Sequence, residues 1–241
     1  MADPERVEQL KELTAQEEPL IIGVADRLNQ MFQNGAYAWN KGALKLLRQL
    51  PRPICIDFND TLANSGRPWF PNPEAIEPVQ DLIRVGSLLV VTTAGQGGDD
   101  WELRRTALEE FGMWHQEMVL IDASNLGHMH PTQYPKGPGR MYGKRREAIK
   151  EWIRINNWEA ADKYEESRLT VNPKSLAPAF QKPYEIPLID DDKYNTDNIP
   201  GMLGLLTQPF NRTYWTSGVT EQGLTLAQAT ERVIEHYAAL I

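Results

Sequence analysis

The sequence predicts an α/β fold in which helices sandwich a parallel sheet. Short apolar runs alternate along the chain with segments of helical periodicity, which is typical of a parallel sheet buried on both faces. Three of these runs end in polar residues that burial alone does not explain, namely Asp57, Thr92 and Asp190. The carboxyl ends of parallel strands meet at one edge of the sheet, where α/β proteins bind their ligands. We therefore expect these three residues to converge on a functional site.

The composition is that of an ordinary globular protein. The 241 residues are 41% hydrophobic and 24% charged, with a formal net charge of −8. This acidic balance argues against broad binding to the phosphate backbone of nucleic acids. The apolar runs fall short of the roughly 18 residues that a membrane helix needs, so we expect no membrane partner. The single cysteine, Cys55, excludes an intrachain disulfide. Because no secretory signal is visible either, we expect a cytoplasmic protein.

Residues 1–50 are predicted to form an N-terminal helical extension. Apolar residues recur at helical spacing in its second and third segments, and the first is charged and partly amphipathic. Pro51 and Pro53 then exclude a continuing helix. The predicted helical segments are Glu8–Leu13, Ile21–Phe32 and Lys41–Leu50. We assign residues 51–241 to the α/β domain.

Five strands and four helices are predicted within residues 51–241. The strands are Ile54–Phe58, Ser87–Thr93, Glu117–Asp122, Tyr184–Asp190 and Met202–Thr207. The helices are Ala75–Val85, Asp100–Phe111, Lys144–Asn156 and Leu224–Leu240. Residues 123–143 are predicted to form a long loop, and a loop of this length inside a domain suggests a functional role or an insertion. Its His128 and His130 lack a third ligand nearby, which favours a surface loop over a metal site.

Three segments, taken in order, resemble the motifs of the haloacid dehalogenase (HAD) superfamily. They are Ile54–Leu62, in which Asp57 and Thr61 have the Asp-x-x-x-Thr spacing, then Leu88–Thr92, and finally Ile186–Asp191. The resemblance spans roughly residues 52–215, and most members of the superfamily are magnesium-dependent phosphohydrolases. Leu188–Asp191 followed by Gly204–Asn211 looks most like the cytosolic 5′-deoxyribonucleotidase branch. The resemblance implies a Rossmann-like sheet, and the short segment 63–74 leaves room for a small cap or none.

The resemblance implies a role for each polar residue. Asp57 would be the nucleophile, since a carboxylate at a strand end can attack phosphorus and form an aspartyl phosphate. Hard cations such as Mg²⁺ choose oxygen ligands, which Asp57, the backbone carbonyl of Asn59, Asp190 and Asp191 would supply. Thr92 would bind a phosphoryl oxygen through its hydroxyl.

A lysine should also neutralise charge on the transferred group. Lys144 opens a predicted helix before the fourth strand and is the favoured candidate. Lys150, Lys174 and Lys182 are the alternatives, and each is by default a solvated surface lysine.

Asn59 departs from the phosphatase pattern, in which this place normally holds an acid/base aspartate. An amide donates hydrogen bonds but has no proton to transfer. Three interpretations stay open: a phosphatase suited to good leaving groups, a protein that forms a phosphoryl species but turns it over poorly, and a non-catalytic HAD scaffold for phosphate binding or protein interaction. The first is preferred because Asp57, Thr92, Asp190 and Asp191 are all present.

Arg67, Trp69 and Phe70 are candidate substrate residues because an aromatic pair beside an arginine could stack a base and hold a phosphate. The alternative, that Trp69 and Phe70 pack on the proline-rich loop, is favoured slightly. A basic cluster spans Lys136–Arg146 and could accept a nucleotide or nucleic-acid phosphate, although a solvated helix start is the default. The expected ligand is a phosphorylated small molecule, with a nucleoside monophosphate as the leading candidate.

Overall fold

The computed structural model describes residues 3–36, 41–64, 67–92, 98–122, 176–196, 201–210 and 223–241. Within these ranges the protein is an α/β fold with a sheet of five parallel strands flanked by helices. The strands are β1 (Pro53–Asp57), β2 (Ser87–Thr92), β3 (Val119–Asp122), β4 (Ile186–Asp190) and β5 (Met202–Leu206). The helices are α1 (Pro4–Gln33), α2 (Lys41–Leu47), α3 (Ile76–Ile83), α4 (Gly98–Glu110), α5 (Ala177–Phe180), α6 (Lys193–Thr196) and α7 (Leu226–Ala238).

The strand order is β3-β2-β1-β4-β5, so the direction in which the sheet grows reverses between β1 and β4. Every residue of β1, β2 and β4 is buried, as expected for strands covered on both faces. The five predicted strands are confirmed, with ends that shift by one or two residues. The α/β class and the parallel sheet are confirmed with them. The predicted helix Lys144–Asn156 lies outside the described residues.

Helix α1 is one continuous helix rather than the two predicted segments. Asp3 caps its start by accepting from the N–H of Glu5 (3.1 Å), and Pro4 occupies the first turn, where its missing N–H costs nothing. Pro19 lies inside the helix on an exposed position. A mid-helix proline costs about 3 kcal/mol, and the apolar face that α1 buries offsets this cost. That face includes Ile21, Val24 and Leu28.

Helices α1 and α2 share the hydrophobic core of the sheet. Leu10 and Leu28 of α1 and Leu44 and Leu47 of α2 belong to the same buried cluster as the strand residues. Helix α1 packs against β3, α4 and α7. The assignment of residues 1–50 as an extension of the α/β domain stays a prediction. No helix in the described ranges is both long and apolar enough to cross a membrane.

Arg52 ties α1 to the amino edge of the sheet. Its buried guanidinium donates from Nε to the carbonyl of Val85 (3.1 Å) and from Nη2 to the hydroxyl of Thr14 (3.0 Å). Nη2 also contacts the carboxylate of Glu17. The backbone carbonyl of Arg52 accepts from the N–H of Ser87 (3.1 Å), and a Cβ at Gly86 would lie 2.3 Å from that oxygen. Only glycine therefore fits at position 86.

Candidate functional site

The candidate site lies at the carboxyl edge of the sheet, where the strand order reverses. Asp57 ends β1 and Asp190 ends β4, its neighbour on one side. Thr92 ends β2, the neighbour on the other side. Ile56 pairs with Ile189, so Asp57 and Asp190 are the next residues in the same register. Because alternate residues of a strand point to opposite faces, residues at matching positions of neighbouring strands share a face.

Three carboxylates converge at this point. Asp57, Asp190 and Asp191 each offer one oxygen atom, and these oxygens lie within 4.8 Å of one another. Asp57 is 3% exposed and Asp190 is fully buried, whereas Asp191 is half-buried. At an effective dielectric constant of about 20, two full charges at this distance repel by roughly 3 kcal/mol. Such a cluster is expected where it holds a cation.

The donor set suits a hard divalent cation. All three groups are carboxylates, the ligand type that Mg²⁺ and Ca²⁺ prefer. The three oxygen atoms lie within 4.8 Å of one another, close enough that one cation could be held by all three carboxylates. The residues present therefore fit a Mg²⁺ site.

Asp190 is held firmly in this position. Its Oδ1 accepts from the backbone N–H of Asp192 (2.8 Å), which fixes the side chain against its own turn. Its backbone carbonyl accepts from the N–H of Thr207, directly after β5 (2.9 Å). The first bond fixes the carboxylate and the second fixes the backbone that carries it, so Asp190 is pre-organised at the end of β4.

The loop that follows Asp57 is tightly closed. The carbonyl of Phe58 accepts from the N–H groups of both Leu62 (3.1 Å) and Ala63 (3.0 Å). Asp60 has a left-handed backbone (φ 55°), its N–H donates to the carbonyl of Ala63, and its own carbonyl accepts from the N–H of Phe210 (2.6 Å). Each such bond contributes about 0.5–1.5 kcal/mol, so the backbone between Phe58 and Ala63 is not easily rearranged.

Asn59, two residues beyond Asp57, carries an unsatisfied buried oxygen. Its side-chain Oδ1 has no hydrogen-bond partner among the described residues. The hydroxyls of Thr61 and Thr207 are also buried without a partner in the part of the chain that the structure describes. Buried polar atoms are nearly always paired, so each of these oxygens could accept a hydrogen bond from a water or ligand. Of these, Asn59 was singled out from the sequence for its place relative to Asp57.

Thr92 ends β2 beside β1 and is 1% exposed, and its role in binding phosphate stays a prediction. Lys144, its alternatives Lys150 and Lys174, and the basic cluster Lys136–Arg146 lie outside the described residues. The same holds for His128 and His130.

Lys182 is the last alternative for the lysine that would neutralise the transferred group, and this assignment is wrong. Its Nζ donates to the backbone carbonyl of Arg48 (3.1 Å), just before β1 begins. Burial lowers the pKa of Lys182, while the nearby Glu17 raises it and Arg52 lowers it. These neighbours belong to the amino edge of the sheet, so Lys182 lies at the opposite end from the acidic cluster. No local sequence pattern indicates this placement.

The three candidate substrate residues do not form one aromatic clamp. Trp69 packs edge-on against Phe58, with ring centroids 5.2 Å apart. Arg67 lies 4.9 Å from the centroid of Trp69, and Arg104 of α4 lies 5.5 Å from it. Trp69 therefore packs on Phe58 at the end of β1, whereas Phe70 is 57% exposed. Packing of both rings on the proline-rich loop stays a prediction. Arg104 was missed because its position within a helix gave no functional signal.

The segment between β1 and α3 is short and paired with itself. Ala63 bridges Pro71 in antiparallel fashion, and the N–H of Asn72 donates to the carbonyl of Leu62 (2.9 Å). Asn72 also donates from Nδ2 to the carbonyl of Thr61 (2.9 Å). This folded-back segment places Trp69 beside Phe58.

Comparison of the chain with protein-family models, with curated proteins and with solved structures gave no match in any of the three.

Proposed function

We propose that the protein is a HAD-type, Mg²⁺-dependent phosphomonoester hydrolase that acts through an aspartyl phosphate on Asp57. The convergence of Asp57, Asp190 and Asp191 at the switch point of a parallel sheet carries this proposal. The substrate class is a phosphorylated small molecule, with nucleoside monophosphates as the first candidates.

Each candidate residue has a proposed role that follows from its position in the fold. An oxygen of Asp57, at the carboxyl end of β1, attacks phosphorus. Asp190, Asp191, Asp57 and the backbone carbonyl of Asn59 would hold Mg²⁺, which offsets the charge repulsion between carboxylate and phosphate. Thr92 donates its hydroxyl to a phosphoryl oxygen, and Lys144 is proposed to add positive charge.

Substrate specificity is proposed to come from the segment after β1. Phe70 offers an exposed ring for a base, and Arg67 lies nearby on Trp69. Stacking of one base on an aromatic side chain is worth about 1–3 kcal/mol. Trp69, which packs on Phe58, supports this surface rather than contacting a base itself.

A second function, a catalytically weakened phosphate-binding or interaction module on the same fold, is favoured by Asn59. The amide cannot transfer a proton, and general acid–base help is typically worth about 10²- to 10⁴-fold. Such a module would bind Mg²⁺ and phosphate without turnover.

A phosphate-release assay distinguishes the two functions. The substrates are p-nitrophenyl phosphate and a panel of nucleoside monophosphates, each tested with and without Mg²⁺. Turnover that requires Mg²⁺ supports the hydrolase, and the panel then ranks substrates. Binding of Mg²⁺ and phosphate without release from any compound supports the module instead.

A further inference from the structure

Three cationic residues meet at the amino edge of the sheet, at the opposite end from the acidic cluster. Arg52 directly precedes β1, and Arg48 directly follows α2. Lys182 donates from Nζ to the backbone carbonyl of Arg48 (3.1 Å), and the charges of Glu17 and Arg52 act on this ammonium. We call Arg48, Arg52 and Lys182 the amino-edge cluster. The fold assembles it, since Lys182 is 134 positions away from Arg48 in the chain.

Contacts within the protein use only part of the donor capacity of this cluster. Arg52 is 8% exposed, and its side-chain hydrogen bonds to the described residues involve Nε and Nη2 but not Nη1. An ammonium has three donors, and the carbonyl of Arg48 takes one from Lys182. The Nε of Arg48 is buried and has no partner in the part of the chain that the structure describes. Buried donors are nearly always paired, so these could be satisfied by a water or by an anion.

The local charge favours an anion over water. Glu17 is the carboxylate that contacts this cluster, through Nη2 of Arg52, so three positive charges face one negative charge. Burial lowers the pKa of Lys182, Glu17 raises it and Arg52 lowers it, and the net effect is a lowered pKa. Burial and the like charge of Arg52 therefore outweigh the single carboxylate. A bound anion would offset the repulsion between the cations, which a neutral water cannot do.

Tyr184 adds a hydroxyl to the same junction. Its half-buried ring packs edge-on against Tyr237, with ring centroids 5.9 Å apart. Burial raises the pKa of Tyr184, while the backbone of Arg52 and then the charge of Arg52 lower it. The hydroxyl therefore lies near Arg52. A neutral hydroxyl donates one hydrogen bond, which suits an anion.

We propose that the amino-edge cluster, together with Tyr184, binds an oxyanion with at least two negative charges, a phosphate group in the first instance. A guanidinium presents parallel N–H donors in a fixed fork that matches the oxygens of phosphate, and an ammonium adds a compact charge. Binding makes and breaks no covalent bond. The site is separate from the acidic cluster, because the two lie at opposite edges of the sheet, and it does not depend on the proposed function.

Isothermal titration calorimetry of the full chain with inorganic phosphate tests this site. EDTA removes divalent cations, so that the acidic cluster repels phosphate, and NaCl keeps the ionic strength constant. We expect one phosphate to bind the wild type, and Arg48→Gln and Lys182→Gln each to bind it roughly 10-fold or more weakly, because each removes a charge-assisted hydrogen bond. The amide of Gln at position 182 still donates to a carbonyl, and circular dichroism checks that both variants are folded.

Arg105→Gln is the matched control, because it removes one cation, paired with Glu109, from α4. It should bind phosphate as the wild type does. The same affinity in the wild type, Arg48→Gln and Lys182→Gln would overturn the proposal, as would no binding of phosphate by the wild type. An affinity that falls in Thr92→Val but not in the two amino-edge variants would place the phosphate at the carboxyl edge and overturn it too. None of these results decides the proposed function, which phosphate release with Mg²⁺ tests.

Discussion

Asp57 and Asp190 directly follow the paired residues Ile56 and Ile189 on neighbouring strands, so two buried carboxylates meet where the strand order of the sheet reverses. Burying like charges together is costly for folding. Such an arrangement, at the edge where α/β proteins commonly bind ligands, is typical of a site in which stability is given up for function. The predictions below test the site and the framework that holds it.

Mg²⁺ should stabilise the wild type and not Asp190→Asn. A ligand at about 100 times its Kd adds about 2.7 kcal/mol, which raises Tm by roughly 5–10 °C in a protein of this size. Asn keeps the Oδ1 that accepts from Asp192 but removes one charge from the cluster. Without Mg²⁺ we therefore expect Asp190→Asn to be at least as stable as the wild type.

Thermal unfolding with and without Mg²⁺ measures both effects. Asp192→Asn is the matched control, because Asp192 is an exposed neighbour outside the acidic cluster. It should keep the full shift with Mg²⁺. The same Mg²⁺ shift in all three proteins would contradict the metal site.

Arg52→Met should lower the free energy of unfolding by about 2–4 kcal/mol, because it removes hydrogen bonds to Val85 and Thr14 and a charged contact with Glu17. Glu17→Gln should cost less, since Glu17 is partly exposed and an amide oxygen still accepts from the guanidinium. Urea unfolding of both variants checks the order. A smaller loss for Arg52→Met than for Glu17→Gln would show that the Arg52 bonds do not tie α1 to the sheet.

Tyr237 should make the protein less stable at alkaline pH. Burial, and then the neighbouring Tyr184, raise the pKa of Tyr237 well above 10.0, and its hydroxyl donates to the carbonyl of Pro53 (2.6 Å). The unfolded chain then loses this proton at lower pH than the folded chain does. The neutral Tyr237 hydroxyl therefore contributes to the free energy of unfolding. This contribution is complete below pH 10.0 and is lost as pH rises above it.

Tyr237→Phe should reduce this alkaline loss of stability, at the cost of one hydrogen bond at neutral pH. Urea unfolding between about pH 8 and 11 measures how the free energy of unfolding of each protein changes with pH. Tyr184→Phe is the comparison, since burial also raises the pKa of Tyr184 but its ring is less buried. If the free energy of unfolding falls with pH equally in Tyr237→Phe and the wild type, Tyr237 is not the cause of the alkaline loss of stability.

Loss of the Phe70 ring should affect KM, whereas loss of the Trp69 ring should affect Tm. Phe70→Ala removes an exposed ring, so Tm should hardly change while KM for nucleoside monophosphates rises by roughly 5- to 160-fold if a base stacks there. Trp69→Ala removes a ring packed on Phe58 and should lower Tm. KM for p-nitrophenyl phosphate in Phe70→Ala is the control. Equal changes in KM for both substrates would contradict base stacking.

Much of the sheet could be predicted because strands buried on both faces appear as unbroken apolar runs. Ile54–Phe58 and Ser87–Thr93 were close to the observed β1 and β2 for this reason. Parallel strands then bring Asp57 and Asp190 to one edge without further information. Asp191 follows directly in the chain.

Other features depend on contacts between distant segments, which no local pattern encodes. Arg52 bonds to Thr14 and Glu17 across more than thirty residues of chain. Arg104 approaches Trp69 only because α4 packs beside the segment after β1. The continuity of α1 through Pro19 likewise depends on the buried face that α1 shares with the sheet, and not on local propensity.

The most direct test of the central claim is phosphate release by the wild type and by Asp57→Asn, side by side, with p-nitrophenyl phosphate and with or without Mg²⁺. The account predicts release by the wild type that requires Mg²⁺ and is abolished in Asp57→Asn, with the circular dichroism spectrum unchanged. Release that continues at the wild-type rate in Asp57→Asn, or without Mg²⁺, would contradict it.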